Sequence, residues 1–344
     1  MNRRRFLSTG TAAVGLAAVA NVAPTTWAAG RKGPTVLIPT STSEQIAELK
    51  AVAPEANLIT CKSAVEALAR APEADASYGF ITRDIIKAGK ALKWVQQGSA
   101  GVETIVTIPE LRDSDIILTN MQRAFGPPIA DQAMAYLLAF TRGLNGFIVS
   151  KEWNRPKEAV FEELHGKTML VIGLGGIGSE IAKRAFGCGM NVLATDPKVL
   201  DAPFSVRELH RPEALTSLLP RADVVASAVP LTPESRKLIN AQTIALMKKG
   251  SLLINVSRGG VVDTDALMAA LKSGRIAGAG LDVTDPEPLP KGHPLWALNT
   301  IITPHTAGQS EGSERRRHEV FKENLRRFSQ GLMLVNVVDK KAGY

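Results

Sequence analysis

The run TMLVIGLGGIG at 168–178 restricts the possible folds more than any other segment of the chain. An apolar stretch of strand length leads directly into Gly-x-Gly-x-x-Gly, and Ile181, Ala182, Ala185 and Phe186 follow at helical spacing. Each glycine answers a physical need. Gly173 permits a tight turn, Gly175 removes the Cβ that would block a pyrophosphate, and Gly178 lets the helix sit close on the strand. Gly176 and Ile177 lie between them, where the free N–H groups of the helix start would face the phosphates. The segment predicts a strand–loop–helix unit that binds a dinucleotide.

The next apolar run, NVLAT, ends at Asp196. An acidic side chain about twenty residues beyond the glycines accepts hydrogen bonds from the adenosine ribose and repels a 2′-phosphate. NAD is therefore favoured over NADP, although Lys198 is near enough to soften the repulsion. The competing reading of Asp196 is a turn residue before Pro197.

Short apolar runs alternate with helical patterns along most of the chain. VLIP, ANLIT, ASYGFI, KWVQQ and IILTN precede the glycine motif, and DVVASAV, SLLINVS, IAGAGLD and TIITP follow it. Such alternation implies parallel sheets covered by helices. Residues 128–150 form the longest helical pattern, apolar on more than one face and weakened by Gly143 and Gly146. It is expected to be buried or packed against a partner.

Three further segments carry chemistry: LINVSRGG with Arg258, GLDVTDPEPLP with Asp282, Glu287 and Pro288, and TPHTAG with His305. With Val229 and Pro230, the ELHGKT stretch before the glycine motif and the closing NVVDKKAGY, they resemble the D-isomer-specific 2-hydroxyacid dehydrogenase family in order and rough spacing. The resemblance covers nearly everything after the first thirty residues. It implies an NAD-dependent enzyme that interconverts a small 2-keto acid and a D-2-hydroxy acid. It also implies two doubly wound parallel-sheet domains of the Rossmann and flavodoxin-like kinds, with a cleft between them. The substrate domain would comprise residues 30–120 and 304–344, and the NAD domain residues 121–303.

By the same resemblance His305 serves as acid and base, Glu287 pairs with its ring, and Arg258 binds the substrate carboxylate. Val229, Pro230 and Asp282 belong to the cofactor site, Asp282 at the nicotinamide carboxamide. The residue types suit those roles. Reduction of a ketone leaves an alkoxide that needs a proton, which histidine can hold near neutral pH. A carboxylate beside it favours the charged ring and fixes its tautomer. A guanidinium matches a carboxylate bidentately and polarises a carbonyl. Singly, each residue also fits a bland role: a surface arginine, a turn glutamate between prolines, a loop histidine. The joint pattern argues against that. Ser99, Ala100 and Gly101 follow KWVQQ, where small residues expose backbone N–H groups to an anion, and the loop resembles the family's carboxylate-binding loop. An ordinary strand-to-helix turn is the alternative.

Two positions depart from the family pattern. Thr284 stands where many relatives have an aromatic residue, and Asp131-Gln132 where relatives often have Glu-His. With Tyr344 as the last residue, no added regulatory domain is expected. Other readings keep the fold and change the activity: a dinucleotide-sensing binding protein without needed catalysis, or a phosphite or formate dehydrogenase. Formate dehydrogenases of this fold carry glutamine where Glu287 stands.

The opening MNRRRFLSTG followed by TAAVGLAAVANVA has the layout of a signal peptide, and RRRFL resembles the twin-arginine export motif. Residues 1–29 are thus expected to be a leader cleaved near Ala28–Ala29, too short and too rich in Ala and Gly to anchor the chain in a membrane. A periplasmic or otherwise exported location follows, with a cytoplasmic one as the alternative. The net charge of +8 includes the three leader arginines and is otherwise dispersed. Arg315, Arg316 and Arg317 lie among glutamates and read as a solvated helix face rather than a nucleic-acid patch. Cys61 and Cys188 show no metal-ligand spacing and read as two small, mostly buried side chains. The expected partners are a small anionic 2-keto or 2-hydroxy acid and a second copy of the chain, with no metal.

Overall fold

A computed structural model describes residues 33–153 and 161–344. The leader expected at 1–29 lies outside the described residues. Two parallel sheets organise the chain. The first runs β2-β1-β3-β4-β5, built from β1 (Thr35–Pro39), β2 (Asn57–Cys61), β3 (Ala76–Tyr78), β4 (Trp94–Gln96) and β5 (Ile117–Thr119). The second comprises β6 (Thr168–Ile172), β7 (Asn191–Thr195), β8 (Glu208–His210), β9 (Val224–Ser227), β10 (Ser251–Asn255), β11 (Ile276–Leu281) and β12 (Thr300–Ile302). Its order is β12-β11-β10-β9-β6-β7-β8. The strand sequence reverses between β6 and β9, the point at which open parallel sheets bind ligands beyond their carboxyl ends. The chain is thus an α/β protein of two doubly wound, Rossmann-like domains.

Strands covered on both faces need continuous apolar runs rather than alternation. Met169–Ile172, Val224–Ala226 and Leu252–Ile254 meet that requirement and are buried. One apolar cluster of the second sheet includes Met169, Val171 and Ile254; another includes Leu170, Ile172 and Leu253. Successive strand residues therefore feed opposite layers. The helix at Ser43–Val52 shows how local chemistry starts an element. Thr42 Oγ1 accepts from the Gln45 N–H at 3.2 Å, and Gln45 Oε1 accepts from the Thr42 N–H at 2.9 Å.

The long helical pattern at 128–150 forms two helices, Gly126–Thr141 and Leu144–Ser150. The break falls at Gly143, whose φ of 67° lies in the left-handed region. The first helix buries Ala130, Ala133, Met134, Tyr136 and Leu137 and packs on the helix Gly176–Gly187 that follows the glycine loop. Truncating fully buried Leu137 to alanine would cost about 2–5 kcal/mol through the cavity left behind. Leu144, Ile148, Val149 and Trp153, in and just after the second helix, are exposed.

The C-terminal helix Glu311–Ser329 returns to the first sheet, where Phe321 stacks on Tyr78 with ring centroids 4.3 Å apart. The tail then docks on β5 through an antiparallel bridge between Thr119 and Val337. Cys61 is buried, but Cys188 is exposed, against expectation, because it caps the end of the helix Gly176–Gly187. Both are free thiols. Among the described residues no helix is long and apolar enough to cross a membrane.

Candidate active site

The glycine loop has the geometry that its sequence requires. Gly173 adopts φ 88°, and a Cβ at Gly178 would overlap the Gly173 carbonyl oxygen. Above Gly175 nothing lies within 4 Å of where a Cβ would stand. No side chain caps the helix that starts at Gly176. Free N–H groups at a helix start beneath open space fit a pyrophosphate, so Gly173 through Gly178 suit a dinucleotide.

Asp196 follows β7 and is buried. Its Oδ2 accepts from the Leu174 N–H at 2.8 Å, and its Oδ1 accepts from the Lys198 and Val199 N–H groups, each at 2.8 Å. The turn role and the glycine-loop role thus coexist in one carboxylate. The Lys198 ammonium lies 3.7 Å from the centre of the Tyr344 ring, brought there by the C-terminal tail. Val229 and Pro230 follow β9 and are half-buried, and a Cβ at Gly173 would come within 2.9 Å of Val229 Cγ1.

Three strand ends carry the expected chemical groups. Arg258 lies beyond β10, Asp282 and Glu287 beyond β11, and His305 beyond β12. His305 Nδ1 is 2.7 Å from Glu287 Oε1, so the ring's other nitrogen is left for a substrate. Both side chains are partly exposed, at 47% and 39%, which leaves the pair reachable from solvent. His305 adopts φ 55°, a left-handed conformation uncommon for a residue other than glycine.

Asp282 holds that conformation in place. Its carbonyl accepts from the His305 N–H at 2.8 Å. Its carboxylate accepts from the Thr303 hydroxyl at 2.6 Å, from the Thr306 N–H at 3.0 Å and from the Ala307 N–H at 3.1 Å. Tyr136, reaching across from the helix Gly126–Thr141, hydrogen-bonds the same Thr303 hydroxyl. Burial pushes the Tyr136 phenol above its usual value, with the Thr303 hydrogen bond opposing. The histidine loop is thus anchored by a buried carboxylate and a buried phenol.

Arg258 reaches toward the first domain. Its Nη1 donates to the Ser257 carbonyl at 2.7 Å, and its Nε lies 3.1 Å from Glu103 Oε1. A Cβ at Gly101 would overlap the guanidinium. Arg258 therefore lies against the Ser99–Gly101 loop, and only glycine permits the approach. Asn120 Nδ2 donates to the Ala100 carbonyl at 2.7 Å, and Ser99 Oγ donates to the Gly101 carbonyl at 2.9 Å. The loop's carbonyls are turned to internal donors.

The sequence reading missed Glu103, Thr303 and Tyr136. Glu103 had a visible signal, being a carboxylate just past the anion loop. Thr303 and Tyr136 had none, because only the fold joins them. The remaining histidines stand apart from this site. His210 pairs with Glu208, His318 with Glu48, and the His293 ring caps the Leu295 N–H.

A family profile described as "D-isomer specific 2-hydroxyacid dehydrogenase, NAD binding domain" matches residues 134–307. A hydroxypyruvate reductase of Thermotoga maritima is 34% identical over 274 residues, covering 78% of this chain and 83% of its own. A D-3-phosphoglycerate dehydrogenase of Methanocaldococcus jannaschii is 35% identical over 263 residues, covering 75% of this chain. The match spans only 50% of that longer protein. A crystal structure of a D-isomer specific 2-hydroxyacid dehydrogenase from Xanthobacter autotrophicus, in complex with NADPH and MES, superposes with a TM-score of 0.77 at 29% identity. It covers 91% of this chain and 99% of the other. The chain belongs to the D-isomer specific 2-hydroxyacid dehydrogenase family.

Proposed function

We propose that this protein is an NAD-dependent reductase that interconverts a small 2-keto acid and its D-2-hydroxy acid. The observation that carries this reading is the His305–Glu287 pair at 2.7 Å, set on the anchored loop beyond β12. Bound NADH would supply the hydride. His305 holds the proton that the developing alkoxide takes, and Glu287 stabilises the charged ring and fixes its orientation. Arg258 and the backbone N–H groups of Ser99, Ala100 and Gly101 receive the substrate carboxylate, and Arg258 polarises the carbonyl oxygen. Glu103 orients Arg258 through the 3.1 Å contact.

NAD rather than NADP is supported by buried Asp196 and by the position of Lys198, whose ammonium is engaged with Tyr344. Asp282 contributes to the nicotinamide end chiefly by fixing the 303–307 segment that borders it. We take residues 30–120 and 304–344 as the substrate domain and 121–303 as the cofactor domain. A homodimer is supported by the exposed apolar side chains Leu144, Ile148, Val149 and Trp153, which need cover. Export is supported by the leader sequence, and N-terminal sequencing of protein recovered from the periplasm tests it.

The activity is tested by following NADH oxidation with glyoxylate, pyruvate and hydroxypyruvate. Turnover with at least one of them is expected, and pyruvate or hydroxypyruvate should give the D-isomer; glycolate, formed from glyoxylate, is achiral. Cofactor binding with no turnover on the panel would favour the dinucleotide-sensing alternative.

A further inference from the structure

The three consecutive arginines at 315–317 do not form one solvated face. Arg315 is exposed, whereas Arg316 and Arg317 are half-buried. Arg316 Nε donates to the Ala124 carbonyl at 2.7 Å, a structural tie between helix and loop. Arg317 turns to the substrate loop. A Cβ at Gly98 would stand 3.2 Å from Arg317 Nη2 and 3.9 Å from the Tyr78 ring. Arg258 approaches Gly101 more closely still, where a Cβ would overlap its Nη2. The segment Gly98–Gly101 therefore has a guanidinium near each end.

The hydrogen bonding of Arg317 is incomplete. Glu314 spends both carboxylate oxygens on Nη1, each at 2.7 Å. The Nε is buried and has no acceptor among the described residues. Leaving a buried donor unmade costs about 1–3 kcal/mol, so such groups need an explanation. The Nε–Nη2 edge is the one that carboxylates and phosphates take bidentately. Tyr78 lies beside it. Burial raises the phenol, opposed by the Arg317 charge and by a hydrogen bond between Tyr78 and Arg317.

The surroundings tie this edge to the site. The Arg317 guanidinium lies 6.0 Å from the centre of the Phe125 ring. That ring would come within 3.2 Å of a Cβ at Gly308, in the segment that carries His305. Arg317 thus lies beside the carboxylate loop, with the Phe125 ring between it and the histidine segment. Its counter-ion Glu314 is 66% exposed and sits on Nη1, so solvent screens the pairing and the Nε–Nη2 edge keeps much of the positive charge.

We propose that Arg317, with Tyr78 beside it, forms a second anion subsite that receives a carboxylate at the far end of the substrate. This rests on the keto-acid reading above and narrows it. The preferred substrate is a 2-keto acid with a second acidic group, rather than one ending in hydrogen or methyl.

The experiment compares kcat/KM for oxaloacetate and pyruvate with NADH, in the wild type, Arg317→Met and Glu314→Gln. The wild type should prefer oxaloacetate. Arg317→Met should reduce the oxaloacetate-to-pyruvate ratio about 10-fold or more, through KM, as loss of a charge-assisted pair implies. Glu314→Gln, at an exposed position, should raise the ratio by releasing Nη1. An unchanged ratio in both variants overturns the subsite, because a merely structural role moves both substrates alike. If the wild type reduces neither acid, the keto-acid reading fails separately. The subsite is then judged by calorimetry on NADH-loaded protein with succinate and butyrate. Tighter succinate binding that Arg317→Met abolishes supports it, and equal binding of the two acids overturns it.

Discussion

Glu103 and Arg258 meet between the two domains, with Oε1 3.1 Å from Nε. One comes from the loop after β4 and the other from the end of β10. Their side chains are only 24% and 30% exposed, so solvent screens the pair partly. With Nη1 held by the Ser257 carbonyl, the contact fixes the guanidinium so that Nη2 lies over Gly101. Glu103→Gln removes the charge and keeps the shape. It should raise KM for the keto acid roughly 5–10-fold, with a smaller effect on kcat. Steady-state kinetics decide the matter: a fall in KM would mean that Glu103 competes with the substrate instead of orienting Arg258.

His305→Ala should reduce turnover by about 10²–10⁴-fold while NADH affinity changes little, because the proton is needed only in the chemical step. Glu287→Gln keeps an acceptor for the ring and should fall between wild type and His305→Ala. Stopped-flow single turnovers and fluorescence titration of NADH separate chemistry from binding. Near-normal single-turnover rates in His305→Ala would remove the histidine from the proposal.

The Tyr136–Thr303–Asp282 chain predicts effects from a distance. Asp282→Asn keeps an acceptor at the Oδ1 position but places an N–H₂ group at the Oδ2 position, facing the Ala307 N–H that lies 3.1 Å away. It should lower both melting temperature and turnover. Tyr136→Phe removes one buried hydrogen bond, a loss of about 0.5–1.5 kcal/mol. Thr303 keeps its 2.6 Å bond to Asp282, so Tyr136→Phe should lower kcat less than Asp282→Asn does. Equal losses in the two variants would show that the loop is not held in this order.

Which parts of this were legible in the sequence follows from locality. The glycine loop, Asp196 and the segments around Arg258, Glu287 and His305 are short stretches whose residue types imply their own geometry. The split of the 128–150 pattern was half-legible: Gly143 was visible, but whether the chain turns there depends on a φ of 67° that glycine permits and does not impose. Contacts that join distant segments left no local trace. Tyr136 reads as one apolar position in an apolar helix until β12 brings Thr303 to its hydroxyl. Arg317 reads as one of three surface arginines until the helix Glu311–Ser329 packs its side chain toward Gly98.

On the proposed reading Asp196 carries two duties, so its substitution should have two consequences. On the proposed reading it lies beside the ribose and disfavours a 2′-phosphate, so Asp196→Ser should narrow the preference for NADH over NADPH. As the acceptor for the Leu174, Lys198 and Val199 N–H groups at 2.8 Å, it also fixes the glycine loop. A serine hydroxyl is too short to serve both sides of that arrangement. The variant should therefore bind NADH itself more weakly and melt a few degrees lower, about 2–6 °C for a loss of one to two kcal/mol. Titration of both cofactors together with a thermal scan tests the pair of effects. A changed cofactor ratio with an unchanged melting temperature would mean that the backbone contacts contribute nothing to the loop. An unchanged ratio with a lowered melting temperature would leave Asp196 a turn residue alone and take the ribose role from it.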